Sequence, residues 1–257
     1  MVLLASSIPV ARHLQFHARA WPAGTPPLRL VLLSDLHVAT PGDSPAHLAH
    51  VVRRVNALRP DLVLIAGDFL STDEWLAHPV DARVATTPLA GLRATLGTVA
   101  VLGNHDYSSR GHARQDRVAA ALASAGVTLL DNGAARRGPL AIVGIADADT
   151  HHDRETPALD RARAIGGIPI VVTHSPDVFP KLPPGIDLAL AGHTHCGQIS
   201  PPLIGPILTG SRWGQRYVCG IVHEGERTSI TTAGLGTSNL PIRLGASPDL
   251  WVIDIGR

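Results

Sequence analysis

Sulfur is scarce in this chain: 257 residues carry two cysteines and one methionine. Two cysteines, Cys196 and Cys219, are too few for the disulfide scaffold of a small secreted domain, although they do not fix the redox compartment. Charge of either sign is not in excess, since 22 basic and 21 acidic side chains leave a formal +1. Nothing global therefore suggests duplex DNA or another polyanion as partner. Long hydrophobic runs are missing too. The apolar start, Met1 to Ala5, is soon interrupted by Pro9, Arg12 and His13. It is too short to span a bilayer, and no basic residue precedes it as a signal-peptide n-region would require. Low-complexity tracts, charge runs and internal repeats are absent as well, so no linker divides the chain. With 45% hydrophobic residues, a chain of this length can bury the core of one compact α/β domain.

What is abundant is histidine, fourteen in all, and their placement carries the argument. Five short polar clusters each directly follow an aliphatic run. Asp35-Leu36-His37 follows Leu30 to Leu33, Gly67-Asp68 follows Leu62 to Ile65, and Gly103-Asn104-His105-Asp106 follows Val99 to Leu102. His174 follows Ile170 to Val172, and Gly192-His193-Thr194-His195 follows Leu188 to Leu190. The runs read as buried strands, which puts every cluster where a strand stops and a loop begins. Strand ends on one edge of a sheet converge. Carboxylates, imidazoles and a carboxamide gathered in one place, without a thiolate, have the composition of a binuclear site for divalent transition metals.

A coarse reading of the remaining pattern gives α/β. Ser44-Pro45 offers an N-cap and a first-turn proline for a helix through Leu58, with Leu48, Val51, Val52 and Val55 on its apolar face. Pro88 to Leu96 and His112 to Ala125 predict two more helices, each followed after a glycine by a β-like run, Val99 to Leu102 and Val127 to Leu130. Beyond Pro139 short strands dominate: Leu140 to Ile145, Tyr217 to Val222, Ser229 to Thr232 and Trp251 to Ile255.

The ordered elements D-x-H, GD, GNHD, a lone H and GHxH resemble the calcineurin-like metallophosphoesterases, from about Leu28 to the C-terminus, and the closing segment Gly234 to Arg243 resembles a bacterial branch of small, single-domain members. Taken singly, a D-x-H or the His174-Ser175-Pro176 turn is ordinary loop chemistry. Five in register are not. The resemblance implies an αββα sandwich of two mixed sheets flanked by helices, formed by residues 28–257, with residues 1–27 packing on it or leading into it. Carried over position by position, Asp35, His37 and His195 would hold a first metal, Asn104, His174 and His193 a second, and Asp68 would bridge the two. His105 would not ligate but would face the substrate, stabilising the transition state or protonating the leaving oxygen, a task suited to imidazole. Asp106 is the nearest group to orient it.

The activity so implied is hydrolysis of phosphodiester or pyrophosphate bonds by a metal-bridging hydroxide, with phosphomonoesters as weaker substrates. Two alternatives stand beside it: a hydrolase of a nucleotide-linked lipid or envelope precursor, and a catalytically silent metal-binding scaffold, although scaffolds lose ligands and here all seven remain. Four imidazoles disfavour Mg²⁺ and Ca²⁺ and leave Mn, Fe, Co, Ni or Zn. The expected partner is a small phosphorylated molecule rather than a nucleic acid. The chain as it stands reads as soluble and cytoplasmic; relatives with N-terminal anchors or export signals make peripheral membrane association the alternative if this start is trimmed.

Other residues invite functional readings against plainer ones. Arg243 is a candidate for holding a substrate anion by bidentate contact, against ordinary packing or a surface salt bridge. Trp213, Arg216 and Tyr217 are candidates for a pocket rim. Asp147, Asp149, His151, His152 and Asp153 form a polar stretch better read as a solvated loop than as a third metal site. Cys196, next to His195, reads as an inert small residue rather than a metal-touching thiol. Gly234 to Gly236 is not a dinucleotide fingerprint, because no helix pattern follows.

Overall fold

A computed structural model describes residues 2–4, 7–40, 42–71, 78–107 and 112–257. Its centre is a pair of six-stranded mixed sheets. In the first, the strands run in the order Val10–His17, Asp249–Gly256, Leu28–Leu33, Leu62–Ala66, Thr98–Val101 and Val127–Leu129. The last four are parallel, and Asp249–Gly256 is antiparallel to Leu28–Leu33. In the second, the order is Gly220–Glu224, Arg227–Thr231, Leu188–Ala191, Ile168–Thr173, Leu140–Ile145 and Gly133–Arg137, with antiparallel pairs only at its two edges.

Alternation along each strand sorts its side chains into two layers. Leu30, Leu32, Leu62, Leu64, Val99 and Val101 of the first sheet meet Ile142, Ile170, Val172, Leu188 and Leu190 of the second in one core between the sheets. The opposite faces are covered by helices. Val31, Leu33, Val63 and Ile65 pack on Leu48, Val51, Val52 and Val55 of helix Pro45–Ala57 and on Val118 and Leu122 of helix Ala113–Ser124. Val143, Ile145 and Val171 pack on Ala158, Leu159 and Ala162 of helix Glu155–Ile165. Strands covered on both faces must be apolar throughout, which is why these runs show no polar alternation. The layers are helix, sheet, sheet, helix.

Several boundaries follow the sequence signals. Ser44 caps the first helix by accepting from the His47 N–H at 3.2 Å, with Pro45 in its first turn. Others differ. In place of a helix over Pro88 to Leu96, a short helix Ala82–Thr86 capped by Asp81 runs into a 3-10 turn Thr87–Gly91, where the glycine ends it. The expected strand Tyr217 to Val222 starts only at Gly220. Tyr217 is drawn into the core against Phe179, ring centroids 5.6 Å apart, and Cys219 into a disulfide. Helix Glu155–Ile165 was invisible in the pattern because its buried stripe is two alanines and one leucine. Strand Val10–His17 falls in the stretch expected to pack on the domain or lead into it, and pairs in parallel with Asp249–Gly256. Of the apolar start, Met1 and Ala5 lie outside the described residues, while Val2–Leu4 pairs with Ile242–Leu244. No helix among the described residues is long and apolar enough to cross a membrane.

Candidate metal centre

The parallel strands of both sheets end on the same side, and their ends bring the polar clusters together. The chain must turn sharply there. Asp35, His37, Asp68, His193 and His195, five of the seven candidate ligands, all adopt left-handed backbone with φ between 42 and 71°. Non-glycine residues hold this conformation only where surrounding structure over-determines it, and such strain gathers at functional sites. Here the restraint is visible. Asp35 N–H donates to Gly67 C=O and His37 N–H to Asp68 C=O, both at 3.0 Å, lacing the first loop to the second. Glycine is required between them by close approach. A Cβ on Gly103 would collide with the Asp68 carboxylate, and one on Gly192 with the Asp35 carboxylate and the Ser34 side chain.

Two ligand sets result. In one, His37 Nε2 lies 3.1 Å from His195 Nε2, which lies 3.5 Å from Asp35 Oδ1. In the other, Asn104 Oδ1 is 2.9 Å from both His174 Nε2 and His193 Nδ1. Between them stands Asp68, whose Oδ2 is 3.4 Å from His37 Nε2 and 3.3 Å from His174 Nε2. The remaining contacts hold these groups in place. His174 Nδ1–H donates to the Ala66 carbonyl at 2.7 Å, turning its Nε2 towards the cluster. The Asp35 carboxylate accepts the His193 N–H at 3.1 Å and the Ser34 hydroxyl; Asp68 Oδ1 accepts the His105 N–H at 2.9 Å.

This donor set fits divalent cations. With its Nδ1 proton committed to Ala66, a neutral His174 points a nitrogen lone pair at the Asn104 carbonyl oxygen, and His37 and His195 bring two ring nitrogens together. Acceptors facing acceptors at such distances are repulsive until protons or a cation lie between them. The electrostatics agree. Burial pushes His37 down to about 3 and His195 well below the usual histidine range, so both rings stay neutral and able to ligate. Burial would raise Asp68, but His174 holds its carboxyl well below the usual range, and His174 itself, although burial opposes it, is raised well above by the Asp68 charge. Without metal, this pair shares a proton where a cation would sit.

His105 lies beside the first set, its ring edge-on to His37 with centroids 4.8 Å apart, and it lines a cavity of about 450 Å³ that opens over the ligands. The expected Asp106–His105 pairing is replaced by another arrangement. The buried Asp106 carboxylate accepts from the backbone N–H groups of Phe69, Leu70 and Gly103, clamping the loop that carries Asp68 to the loop that carries Asn104. Burial, with the Asp68 charge, pushes its pKa to about 7.

Arg243, read as an anion-binding candidate, is 1% exposed and does not line the cavity. Its guanidinium donates to the carbonyls of Ala233, Gly236 and Ala246 and stands 3.1 Å from His195 Nδ1. The segment 233–246 wraps around it, so it braces a ligand from behind. Tyr217 is buried, with its hydroxyl on Glu224, and Arg216 pairs with the same carboxylate; neither rims the cavity. Cys196 is not a free thiol. It is joined to Cys219, Cα atoms 4.6 Å apart, so its sulfur is not available as a ligand. In the polar stretch after Ala146, Asp147 is fully buried and accepts from Thr150, while the His152 ring stacks on Tyr107 at 4.1 Å, so much of it is packed rather than solvated.

Sequence reasoning missed the far half of the cavity, walled by Ile199, Ile207, Leu208 and Leu240. Its available signal was a stretch without a single charged side chain from residue 199 to 211.

Comparison with known proteins gives the family. Residues 28–197 match the profile of the calcineurin-like phosphoesterases. The zebrafish (Danio rerio) transmembrane protein with metallophosphoesterase domain is 30% identical over 87% of this chain and 52% of its own length. Metallophosphoesterase YkuE of Bacillus subtilis is 29% identical over 91% of this chain and 81% of its own, and phosphodiesterase YaeI of Escherichia coli 30% over 89% and 82%. The chain thus spans about half of the vertebrate relative and most of the bacterial ones. It belongs to the calcineurin-like phosphoesterase family. The two bacterial relatives are matched along most of their own length.

Proposed function

We propose that this protein is a binuclear phosphodiesterase, cleaving phosphodiester or pyrophosphate bonds and phosphomonoesters more weakly. The observation that carries the reading is the place of Asp68 Oδ2, 3.4 Å from one ligand set and 3.3 Å from the other. A single carboxylate oxygen within reach of two nitrogen-rich sets has the geometry of a bridge. Asp35, His37 and His195 form one site and Asn104, His174 and His193 the second. Mn, Fe, Co, Ni and Zn all suit this ligation. Divalent ions bound there supply Lewis-acid polarisation of the phosphoryl group and an activated water.

The chain's own residues do the rest. Asp35 and Asp68 bring two negative charges against the four of two divalent ions, so the loaded cluster stays positive and attracts a phosphoryl group. His105, on the cavity wall beside the first set, is placed to give a proton to the leaving oxygen. The Asp106 clamp and the Asp35–His193 bond keep the ligand loops in register while the phosphoryl group changes geometry. The name of the Escherichia coli relative, a phosphodiesterase, supports diesters as the preferred class.

The test is the initial rate on bis(p-nitrophenyl) phosphate and p-nitrophenyl phosphate, with Mn²⁺ or Zn²⁺, for wild type beside Asp68→Ala. Diester hydrolysis faster than monoester hydrolysis, and abolished by the substitution, is the expected result. A metal-loaded protein inert on both, and on pyrophosphate-linked nucleotides, would return the reading to a metal-binding scaffold.

A further inference from the structure

The second wall of the cavity continues outward into an unusual surface. Leu203, Ile204, Ile207 and Leu208 are 107, 71, 60 and 77% exposed, and Leu240 beside them 43%. Leu240 is tied to the same loop by Gln198 Nε2–H, which donates to its carbonyl at 2.9 Å. Isolated exposed leucines are ordinary, but four large aliphatic groups in a stretch uncharged from residue 199 to 211, with Leu240 beside them, are a patch. The apolar surface is continuous with the site: Ile207, Leu208 and Leu240 belong both to the lip and to the cavity wall, whose other end is Asp68, Asn104 and His105.

Shape and charge narrow the occupant. Leu203 stands at φ +71 on a turn in which the Ile204 and Gly205 N–H groups both return to the Pro201 carbonyl, so its side chain projects from a convex tip. A rigid protein partner would need a matching socket for each such tip. A fluid apolar medium would not. Trp213, 45% exposed, lies just past Arg212 at the end of the uncharged stretch and carries an amphipathic ring. The neighbouring Arg212 and Arg216 are already paired, with Asp177 and Glu224, so attraction here is apolar rather than ionic.

We infer that this lip enters the surface of a lipid bilayer and that the metal centre works on phosphoester headgroups of amphiphiles presented there. The headgroup phosphate would lie at the ligands and the first apolar part of the molecule along Ile207, Leu208 and Leu240. This substrate class rests on the phosphodiesterase reading above; the bilayer contact does not.

The experiment is flotation of the intact protein with phosphatidylcholine vesicles, with and without phosphatidylglycerol, at low and high salt. Wild type is compared with the double variant Leu203→Ser/Ile204→Ser, whose sites lie outside the cavity wall. Wild type is expected to bind both kinds of vesicle with little effect of salt, and the variant to lose roughly tenfold or more in partitioning. Its rate on bis(p-nitrophenyl) phosphate, and its melting temperature, should stay those of wild type. Absence of binding to phosphatidylcholine, equal binding by the variant, or binding only to the anionic vesicles that salt abolishes would overturn the inference. So would a wild-type dimer in solution that the variant dissociates, which would assign the lip to a second copy of the chain. Vesicle binding by a protein inert on every diester would defeat the phosphodiesterase reading and leave the bilayer contact standing.

Discussion

One cavity has two walls, built on opposite principles. The metal-binding wall comes from strand ends. Five of its seven candidate ligands are buried, from 0% exposed at Asp35 and His174 to 6% at His195, Asn104 and His193 are half-buried, and several are held in left-handed backbone by bonds to neighbouring loops. The apolar wall comes from irregular chain, residues 198–211 and 238–240, where large side chains such as Leu203 and Leu208 project into solvent. Catalysis needs sub-ångström placement, which rigid sheet edges provide; recognition of an apolar group tolerates, and uses, a surface that can adjust. The comparison is useful only if the walls can be disturbed separately.

The largest effect should come from the bridge. Asp68→Ala leaves both sets without their shared carboxylate, so metal content by plasma mass spectrometry should fall at both positions and diester turnover by about 10³-fold or more. Loss of only one ion would show the sets to be independent. Next, His105→Ala should keep its full metal complement yet lose about 10² to 10⁴-fold in kcat, the range for removal of a general acid. A wild-type rate on every substrate would end the acid role. A smaller effect is expected from pH. Because Asp68 raises His174 well above the ordinary histidine value, the metal-free centre holds a proton at neutral pH that loading must expel. Apparent affinity should therefore rise with pH, about tenfold per unit for one linked proton. Calorimetric titration in two buffers of different ionisation heat measures that proton; identical heats would show that His174 is already neutral.

The two walls were also unequally legible from sequence. The metal wall was readable because its physics is local: a buried strand followed by a short turn puts a fixed residue at the sheet edge, and Asp35, Asp68, Asn104, His174 and His193 each sit within a few residues of such an end. Even there, what braces the ligands was not readable. Asp106 was expected on its sequence neighbour His105, yet it satisfies backbone groups at Phe69 and Leu70, 37 and 36 residues away. Arg243 was expected on substrate, yet it reaches His195 across 48 residues. Buried donors and acceptors take whatever partners the tertiary structure brings, and spacing along the chain carries no record of that. The apolar wall is harder still, because a glycine- and proline-punctuated segment has no periodicity. Its only trace was the missing charge.

Cys196–Cys219 is where the walls touch, and it gives the finest test of their independence. The bond closes a segment with a sequence separation of 23 that holds nearly all of the apolar lip, and it begins one residue after His195. A second link runs alongside it, the Thr194 hydroxyl donating to the Val218 carbonyl at 2.7 Å. Reduction should loosen the segment by restoring chain entropy to its unfolded form, costing about 3 kcal/mol for a loop of this size. In a domain of this length that lowers Tm by roughly 6 to 12 °C. His195 is also held by Arg243, whose guanidinium lies against its Nδ1 and its carbonyl, so the ligand should outlast the bond. The metal content and the rate on a small diester should then survive reduction, or the Cys196→Ser/Cys219→Ser change, below the new Tm, while vesicle partitioning weakens. Metal lost together with the disulfide would show instead that the lip and the ligand wall are one mechanical unit, and that the apolar loop sets the geometry of His195 as well as the choice of substrate.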